Sequence, residues 1–187
     1  MALRHGFKSE ANQIARQIRA ELGLKFADPL NPFELATYLE IKIIPISHFH
    51  EHAPLAIEHF QTKGQSEFSA ATIFLGSQRL ILHNDSHTVG RQSSNIAHEL
   101  SHGLLHHPKT APLNDLGCRN WDKSIESEAD WLAAALLISE EAALKLAREN
   151  ISLRAAAKIY GVTEQMIRFR LNVTGSKQRV NKMVGVA

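Results

Sequence analysis

The pattern of hydrophobic and polar positions predicts a chain that mixes helices and strands up to about residue 87 and is helical beyond it. Residues 8–23 place their apolar side chains on one helical stripe, and Gly23 ends that helix. A short helix follows, opened by Asn31 and Pro32. Residues 47–64 hold four histidines, a proline and a glycine without a regular period, which predicts an irregular connection.

Three apolar, largely β-branched stretches predict strands. Residues 41–46 include a proline, which cannot donate a backbone hydrogen bond, so this strand is expected at a sheet edge. Residues 68–76 and 79–85 form the other two strands, joined by a tight turn at Gly76 and Ser77. We therefore expect an α+β fold in which a small, mostly antiparallel sheet packs on helices.

The second half of the chain predicts helices separated by capping residues. Helix 88–106 ends before Pro108, and a polar loop runs to about residue 121. An Ala- and Leu-rich helix covers about 123–138. Three N-cap residues open the helices after it: Ser139, Ser152 and Thr163.

Composition and charge favour a globular protein with a distinct C-terminal segment. The chain has 187 residues, 44% of them hydrophobic and 21% charged, which suits one domain with a small appendage. Residues 1–150 carry 14 Lys/Arg and 18 Asp/Glu, whereas residues 151–187 carry seven and one. We therefore expect a main domain over 1–150 and a small basic helical extension over 151–187.

Three observations favour a cytoplasmic protein without a membrane span. The N-terminus has no apolar core of the length that a signal peptide needs. The longest apolar run, residues 131–138, is too short to cross a bilayer. Cys118 is the single cysteine, which excludes an internal disulfide and a cysteine-based zinc cluster.

The stretch "AHELSH" indicates a metal site. His98 and His102 lie four residues apart on a predicted helix, so both imidazoles face the same side and can bind one metal ion. Glu99 is rotated by about 100° from His98 and can lean over that site. The alternative is an amphipathic helix with half-exposed histidines, because a short motif also arises by chance. A third histidine ligand ten residues after the first is excluded, since that position is Pro108.

The segment "SIESEADWLAAALL" supplies a third ligand. Glu126 and Asp130 are one turn apart beside the apolar positions of the predicted helix, and a carboxylate pair on an otherwise apolar face requires a reason. One carboxylate can bind the metal, and the other can accept the Nδ1–H of a ligand histidine. For Glu128 the sequence favours a solvated position toward the opposite face of the helix.

These motifs together resemble the ImmA/IrrE metallo-endopeptidases. The matching residues are "RQSSNIAHELSHGLLHHP", "ESEADWLAAALLIS", the preceding "RLILHND" and, more weakly, "IRAELGL…PLNPFELATYLEIKI". The resemblance implies a minimal thermolysin-like zincin fold, with His98, His102 and Glu126 on zinc and Glu99 as the catalytic base. Manganese is an alternative occupant, because affinity order alone does not decide which metal a site holds in cells.

The resemblance also implies a function and a partner. Members of the family cleave a helix-turn-helix repressor in stress responses or in the regulation of mobile elements and prophages. The alternative is a regulatory binding module with slow or absent cleavage, which docks on a repressor or on DNA or acts as a toxin–antitoxin partner. An intact Glu99 favours the enzyme, because docking alone does not require a general base.

Several other residues are candidates for substrate contact. His83 and His87 precede the metal helix closely enough to line a cleft and polarise a substrate carbonyl, and Tyr160 is a further candidate. The strand "RLILHND" is either a plain sheet strand or the edge strand along which a substrate extends. His106 and His107 end a helix, where capping is the expected role.

The C-terminal extension has the spacing of a helix-turn-helix motif. "RAAAKIYGVTEQMIRFRLN" places Gly161 in the turn and Thr163 at the cap, followed by Arg168 and Arg170. With the basic tail "KQRVNK" this segment could contact DNA phosphates. Arg170, however, occupies a position that is usually apolar in such motifs, so packing on the main domain is the alternative.

Overall fold

The computed structural model of the protein describes residues 3–76, 78–108 and 122–184. The strands are β1 Lys42–Pro45, β2 Ala70–Leu75 and β3 Gln78–His83. The helices are α1 Phe7–Glu21, α2 Pro32–Tyr38, α3 Pro54–Gln61, α4 Val89–Leu104, α5 Lys123–Leu137, α6 Glu140–Arg148, α7 Leu153–Tyr160, α8 Glu164–Val173 and α9 Ser176–Val184. Within these ranges, no helix has both the length and the apolar character to cross a membrane.

The predicted α+β fold class is confirmed, and the sheet is mixed. The strand order is β1-β3-β2; β1 pairs parallel to β3, and β2 pairs antiparallel to it. The strand at 41–46 was correctly predicted at an edge. The expected hairpin joins β2 and β3, although Ser77 of its turn lies outside the described residues.

Two connections were predicted to be irregular: residues 47–64 and the loop that runs to about residue 121. The stretch 47–64 is not irregular throughout: a 3-10 helix spans Ile46–Phe49 and α3 follows it. Pro54 opens α3 at a position where its missing N–H costs no hydrogen bond. A proline there is a recognised signal for the start of a helix, and it was present in the sequence. The polar loop predicted up to about residue 121 lies outside the described residues from residue 109 onward.

Helix α5 lies at the centre of the molecule. Its residues from Ala129 to Leu137 are apolar around almost the whole circumference, and seven of them are at most 3% exposed. A helix of this kind is stable only when neighbours cover all of its sides. Helices α1 and α4 pack against α5, and α8 also contacts it.

Two hydrophobic clusters share α4 and α5. The first joins α1, α2 and the sheet to Ile96 and Leu100 of α4 and to Leu132 and Leu136 of α5. The second joins Ala97 of α4 and the opposite side of α5 to α6, α7 and α8. The C-terminal helices therefore pack on the same helix pair as the sheet, from the other side.

Two buried arginines bind the carbonyl groups at the C-terminal end of α5. Arg19 of α1 donates to the carbonyl of Leu136 at 2.6 Å, and Arg170 of α8 donates to that of Ile138 at 2.8 Å. The last carbonyls of a helix have no partner within the helix and carry partial negative charge, so both contacts satisfy and stabilise that end. Burial lowers the pKa of each guanidinium to about 10, which leaves both charged at neutral pH.

The predicted capping residues of the second half are confirmed. The side chains of Ser139, Ser152 and Thr163 each accept a hydrogen bond from the backbone N–H three residues later, within the first turns of α6, α7 and α8. Asn31 also caps its helix, α2. These contacts are local in sequence, which is why the sequence predicted them.

We expect Gly90→Ala to destabilise the fold, although alanine is the better helix former. A Cβ on Gly90 would lie 2.7 Å from the backbone carbon of Val162 and 2.8 Å from the nitrogen of Thr163, in the turn between α7 and α8. Backbone atoms cannot move aside as a side chain does, so the expected loss is about 1–3 kcal/mol in the free energy of unfolding. Denaturant unfolding measures it. Val89→Ala, at an exposed neighbour, is the control; equal effects of both changes would contradict the packing described.

Candidate metal centre

Helices α4 and α5 bring three metal-ligating side chains together. The Nε2 atoms of His98 and His102, one turn apart on α4, are 3.0 Å from each other. Glu126, in the first turn of α5, places its carboxylate oxygens 3.2 Å from the first nitrogen and 3.8 Å from the second. One ligand atom from each residue lies within 4.8 Å of the other two. The three residues predicted as ligands thus form one cluster.

The donor set fits a divalent metal ion. In a tetrahedral site with bonds of about 2.0–2.1 Å, neighbouring ligand atoms are roughly 3.3 Å apart. Nε2 of His98 is close to that distance from its two neighbours, at 3.0 Å from Nε2 of His102 and 3.2 Å from Oε2 of Glu126. Within the described part of the chain the cluster consists of two imidazoles and one carboxylate, the three-ligand set that catalytic zinc sites use together with a water molecule.

Asp130 holds the ring of His98. Its Oδ1 lies 2.8 Å from Nδ1 of His98, so the carboxylate accepts the proton of that nitrogen and leaves Nε2 directed at the cluster. Asp130 is one turn after Glu126 on α5 and is largely exposed, with 60% of its side chain in contact with solvent. Its position agrees with the role that the sequence suggested for the second carboxylate.

His107 contacts the other histidine of the cluster. Its Nδ1 lies 3.0 Å from Nδ1 of His102. The sequence suggested only helix capping for His107. Beyond the end of a helix the 3.6-residue repeat no longer applies, so the direction of the side chain cannot be predicted from it. Burial lowers the pKa of His107, although Glu128 acts in the opposite direction, so the ring is neutral at pH 7.

Glu128 is buried, contrary to the solvated position predicted for it. Its side chain is 11% exposed, forms an ion pair with Arg4 at 3.0 Å and lies 3.7 Å from Nε2 of His107. Helix phase correctly placed Glu128 on a different side from Glu126. That side, however, faces the N-terminal segment and the end of α4 rather than solvent.

The two histidines of the cluster differ in their affinity for protons. Burial lowers the pKa of His98, but hydrogen bonds to Asp130 and Glu126 outweigh it and raise the pKa to about 9. Nε2 of His102 lies 3.8 Å from Oε1 of Glu126; burial and the positive charge on His98 lower the pKa of His102 to about 4. Before a metal binds, His98 is therefore doubly protonated at neutral pH, whereas His102 is a neutral ring with a single proton.

Glu99 is held beside the cluster by the sheet. Thr72 of β2 donates a hydrogen bond of 2.6 Å from Oγ1 to Oε2 of Glu99. Arg79 of β3 donates to the backbone carbonyl of Glu99, and its guanidinium fills the space beside Gly103, where a Cβ would overlap it. Glu99 as a whole is 7% exposed and lines the cavity in front of the cluster.

An open cavity of about 250 Å³ lies in front of these residues. It is lined by Glu99, His98, Glu126 and Asp130 together with side chains from β2, α4, α5 and α8: Ser69, Ala70, Ser94, Asn95, Ala133 and Met166. The lining by Ser69 and Ala70 places the start of β2 at the cavity. Met166 of α8 brings the C-terminal helices into the lining.

Strand β3 is not the strand that borders this cavity. "RLILHND" was one candidate for an edge strand along a substrate, but β3 pairs on both sides, with β1 and with β2. Its backbone groups are already used within the sheet. Strand β2 lies at the edge instead. The sequence could not show which of the two strands lies at the edge, because β2 and β3 have similar hydrophobic patterns.

None of the three residues suggested for a cleft or oxyanion role lines the cavity. His83 is buried against the ring of Phe33. His87 donates from Nε2 to the carbonyl of Gln65 and accepts at Nδ1 from Asn95, which does line the cavity. Tyr160 donates to the carbonyl of Ala27. Proximity in sequence placed His83 and His87 near α4, but their rings turn into the packed structure.

A small mixed sheet, a helix with the His-Glu-x-x-His motif and a carboxylate from the next helix define a minimal zincin-like metallopeptidase. A family model supports that class: the model of the IrrE N-terminal-like domain, peptidase family M78, matches residues 36–172. This match covers well over half of the chain, so the chain belongs to that family, as its resemblance to the ImmA/IrrE proteins implied. No curated protein and no solved structure matches the chain significantly.

Removal of Glu126 should weaken metal binding more than removal of Asp130. Glu126→Ala deletes one of three donors, whereas Asp130→Ala leaves all three but frees the ring of His98, which typically costs about 10–100-fold in affinity. Competition with a chromophoric zinc chelator gives both dissociation constants. Glu67→Ala, an exposed carboxylate outside the cluster, is the control. Stronger binding by Glu126→Ala than by Asp130→Ala would reverse the assignment.

Metal binding should release a proton at neutral pH. Since the raised pKa of about 9 keeps His98 protonated below that pH, an incoming metal must displace this proton. The apparent affinity should rise about tenfold per unit between pH 7 and 8.5, with about one proton released per ion at pH 7.5. Calorimetry in buffers of different ionisation enthalpy measures the release. Asp130→Asn should reduce it by lowering the pKa of His98; a wild type that releases no proton would contradict the protonation described.

Proposed function

We propose that the protein is a zinc-dependent endopeptidase. The observation that carries this proposal is the convergence of His98, His102 and Glu126 beside a carboxylate, Glu99, that faces the same cavity. A purely structural metal site would be closed by a fourth protein ligand and would need no general base. Manganese is the alternative metal, because the two nitrogen and one oxygen donors also accept it.

A zinc ion held by these residues supplies Lewis-acid activation of the scissile carbonyl and of water. The other steps belong to Glu99. Its carboxylate accepts the proton of the attacking water and delivers it to the nitrogen of the leaving amine. Thr72 donates a hydrogen bond to Oε2, which leaves Oε1 as the oxygen that accepts the proton of the water.

The substrate is an extended segment of a polypeptide. Among the described strands, β2 pairs on one side only, and its start lines the cavity at Ser69 and Ala70. An extended chain can add to such an edge through backbone hydrogen bonds, which bind it without a strict demand on side chains. The apolar side chains of Met166 and Ala133 also line the cavity and contribute to the choice of substrate side chains.

The substrate class that we propose is a cytoplasmic helix-turn-helix repressor, cleaved in a stress response or in the control of a mobile element. This part of the proposal rests on membership of the IrrE N-terminal-like family and on the resemblance to ImmA/IrrE proteins. Cleavage of a repressor needs a site that accepts an extended, transiently exposed segment, and an open cavity beside a strand edge has that form.

The alternative role in DNA docking has less support from the cations of the C-terminal helices. Arg170 is 1% exposed and binds the end of α5, so it cannot contact phosphate. Arg179 of α9 pairs with Glu140 of α6. Five cations of this segment remain exposed: Arg154, Lys158, Arg168, Lys177 and Lys182. Exposed cations are only the electrostatic footprint of binding, and Arg170, one of the two arginines expected to reach DNA, is buried, so we propose a protein partner first.

Glu99→Gln should abolish cleavage and leave folding and zinc content unchanged. The amide has nearly the shape of the carboxylate but cannot accept the proton, and loss of general-base action costs about 10²–10⁴ in rate. Cells that express the wild type should show new N-termini within a helix-turn-helix repressor by terminal-amine labelling and mass spectrometry. Cells with the variant should lack them, and the variant should retain the intact repressor on purification. Identical N-termini in both would refute the assignment of Glu99; a wild type without metal would refute the enzyme itself.

A further inference from the structure

The end of α4 folds back on the helix and brings His107 against the ligand His102. The backbone N–H of His107 bonds to the carbonyl of His102 at 3.0 Å, and that of His106 bonds to Gly103 at 3.1 Å. His106 adopts the left-handed conformation, with φ of 53°. This is the hydrogen-bond pattern of a Schellman motif. It places the His107 ring 5.0 Å from the His102 ring, centroid to centroid.

A short series of polar groups continues from His107 away from the cavity. Nε2 of His107 faces Oε2 of Glu128 at 3.7 Å, in ion-pair range but beyond a hydrogen bond. The other oxygen of Glu128 contacts Arg4. The side chains of His107 and Glu128 are 9% and 11% exposed, so this series is largely removed from solvent. Nε2 of His107 is buried without a hydrogen-bond partner, and in such a low-dielectric position the nearby charge of Glu128 acts strongly on it.

The proton positions in this series follow from the charge of Glu128. A carboxylate attracts an N–H and repels a nitrogen lone pair, so the proton of the neutral His107 ring lies on Nε2, toward Glu128. Its Nδ1 then carries a lone pair and accepts a hydrogen bond. The partner at 3.0 Å is Nδ1 of His102, which must therefore be the donor. With its proton on Nδ1, His102 has its Nε2 lone pair directed at His98 and Glu126.

We propose that His107 positions the metal ligand His102, and that Glu128 sets the tautomer of both rings. His107 orients the His102 ring and keeps the nitrogen that faces the cluster free to bind a metal. It is a positioning residue, since it does not line the cavity. This inference rests on the proposed metal site and extends it, because neither His107 nor Glu128 is among the groups that hold the metal or perform the reaction.

The two histidine ligands are then held by different chemistry. His98 donates to an exposed carboxylate, Asp130, whereas His102 donates to a buried neutral ring. A carboxylate acceptor increases the basicity of a ligand strongly, and a neutral acceptor does so less. The contribution of His107 is therefore mainly orientation and choice of tautomer. Loss of this contact leaves the Nδ1–H of His102 without its acceptor in a half-buried position.

A matched pair of variants separates this role from simple packing. Leucine and asparagine have nearly the same shape, but only asparagine offers an oxygen close to the position of Nδ1 in His107. We expect His107→Leu to weaken zinc binding by about 10–100-fold and His107→Asn to restore most of that loss. Competition with a chromophoric chelator measures zinc binding by the full chain. His106→Asn, at the exposed neighbour in the left-handed conformation that asparagine tolerates, is the control and should bind zinc as the wild type does.

The outcomes distinguish this inference from the proposed function. Equal zinc affinity of His107→Leu and the wild type would overturn the positioning role and leave the zinc site intact. Equal weakening by His107→Leu and His107→Asn would overturn it as well, since the defect would then be one of packing. A wild type that binds no zinc would overturn both the proposed function and this inference.

A second measurement needs no variant and covers the case in which His107→Leu does not fold. Nitrogen-15 spectra of the zinc-loaded wild type report which ring nitrogens carry protons. We expect the proton of His102 on Nδ1, the proton of His107 on Nε2, and an unprotonated Nδ1 on His107. A proton on Nδ1 of His107, in either the neutral or the doubly protonated ring, would overturn the proposal.

Discussion

The packing of α5 against α4 is the constraint on which the rest of the structure depends. Because α5 is apolar around its circumference, it must be covered on every side, and α1, α4 and the C-terminal helices cover it. Its two ends are the places where polar groups can lie. The C-terminal carbonyls bind Arg19 and Arg170, and the N-terminal turn carries Glu126 toward the histidines of α4. The same burial that stabilises the fold therefore fixes the distance between the ligands.

Each polar group of the metal centre is held by a different part of the fold. Asp130 of α5 holds His98, His107 beyond the end of α4 contacts His102, and Thr72 of the sheet holds Glu99. Since these supports lie on separate elements, the geometry of the centre depends on the whole packed unit. A ligand with a free ring would lose affinity through the conformational entropy of ordering it. The fold removes that cost before a metal binds.

The C-terminal helices belong to the same packed unit, although their charge sets them apart in the sequence. They share a hydrophobic cluster with α4 and α5, and Met166 reaches the cavity. Arg170 is a residue type that commonly contacts DNA, but here it is buried. Its guanidinium binds a carbonyl at the C-terminal end of α5, where a cation is stabilising. Net charge thus described the segment correctly but did not indicate which of its cations were available to a partner.

The sequence by itself determined the features that depend on local spacing. His98 and His102 share a face because a helix repeats every 3.6 residues, and Glu126 and Asp130 share one for the same reason. The caps Ser139, Ser152 and Thr163 act within a few residues of themselves. Other features needed the tertiary structure, because they join residues far apart along the chain or at the irregular end of a helix. These features include the central position of β3 and the contact of Thr72 with Glu99. They also include the burial of Glu128 beside Arg4 and the turn that brings His107 back to His102. No period in the sequence encodes these contacts; they follow from which faces the hydrophobic packing brings together.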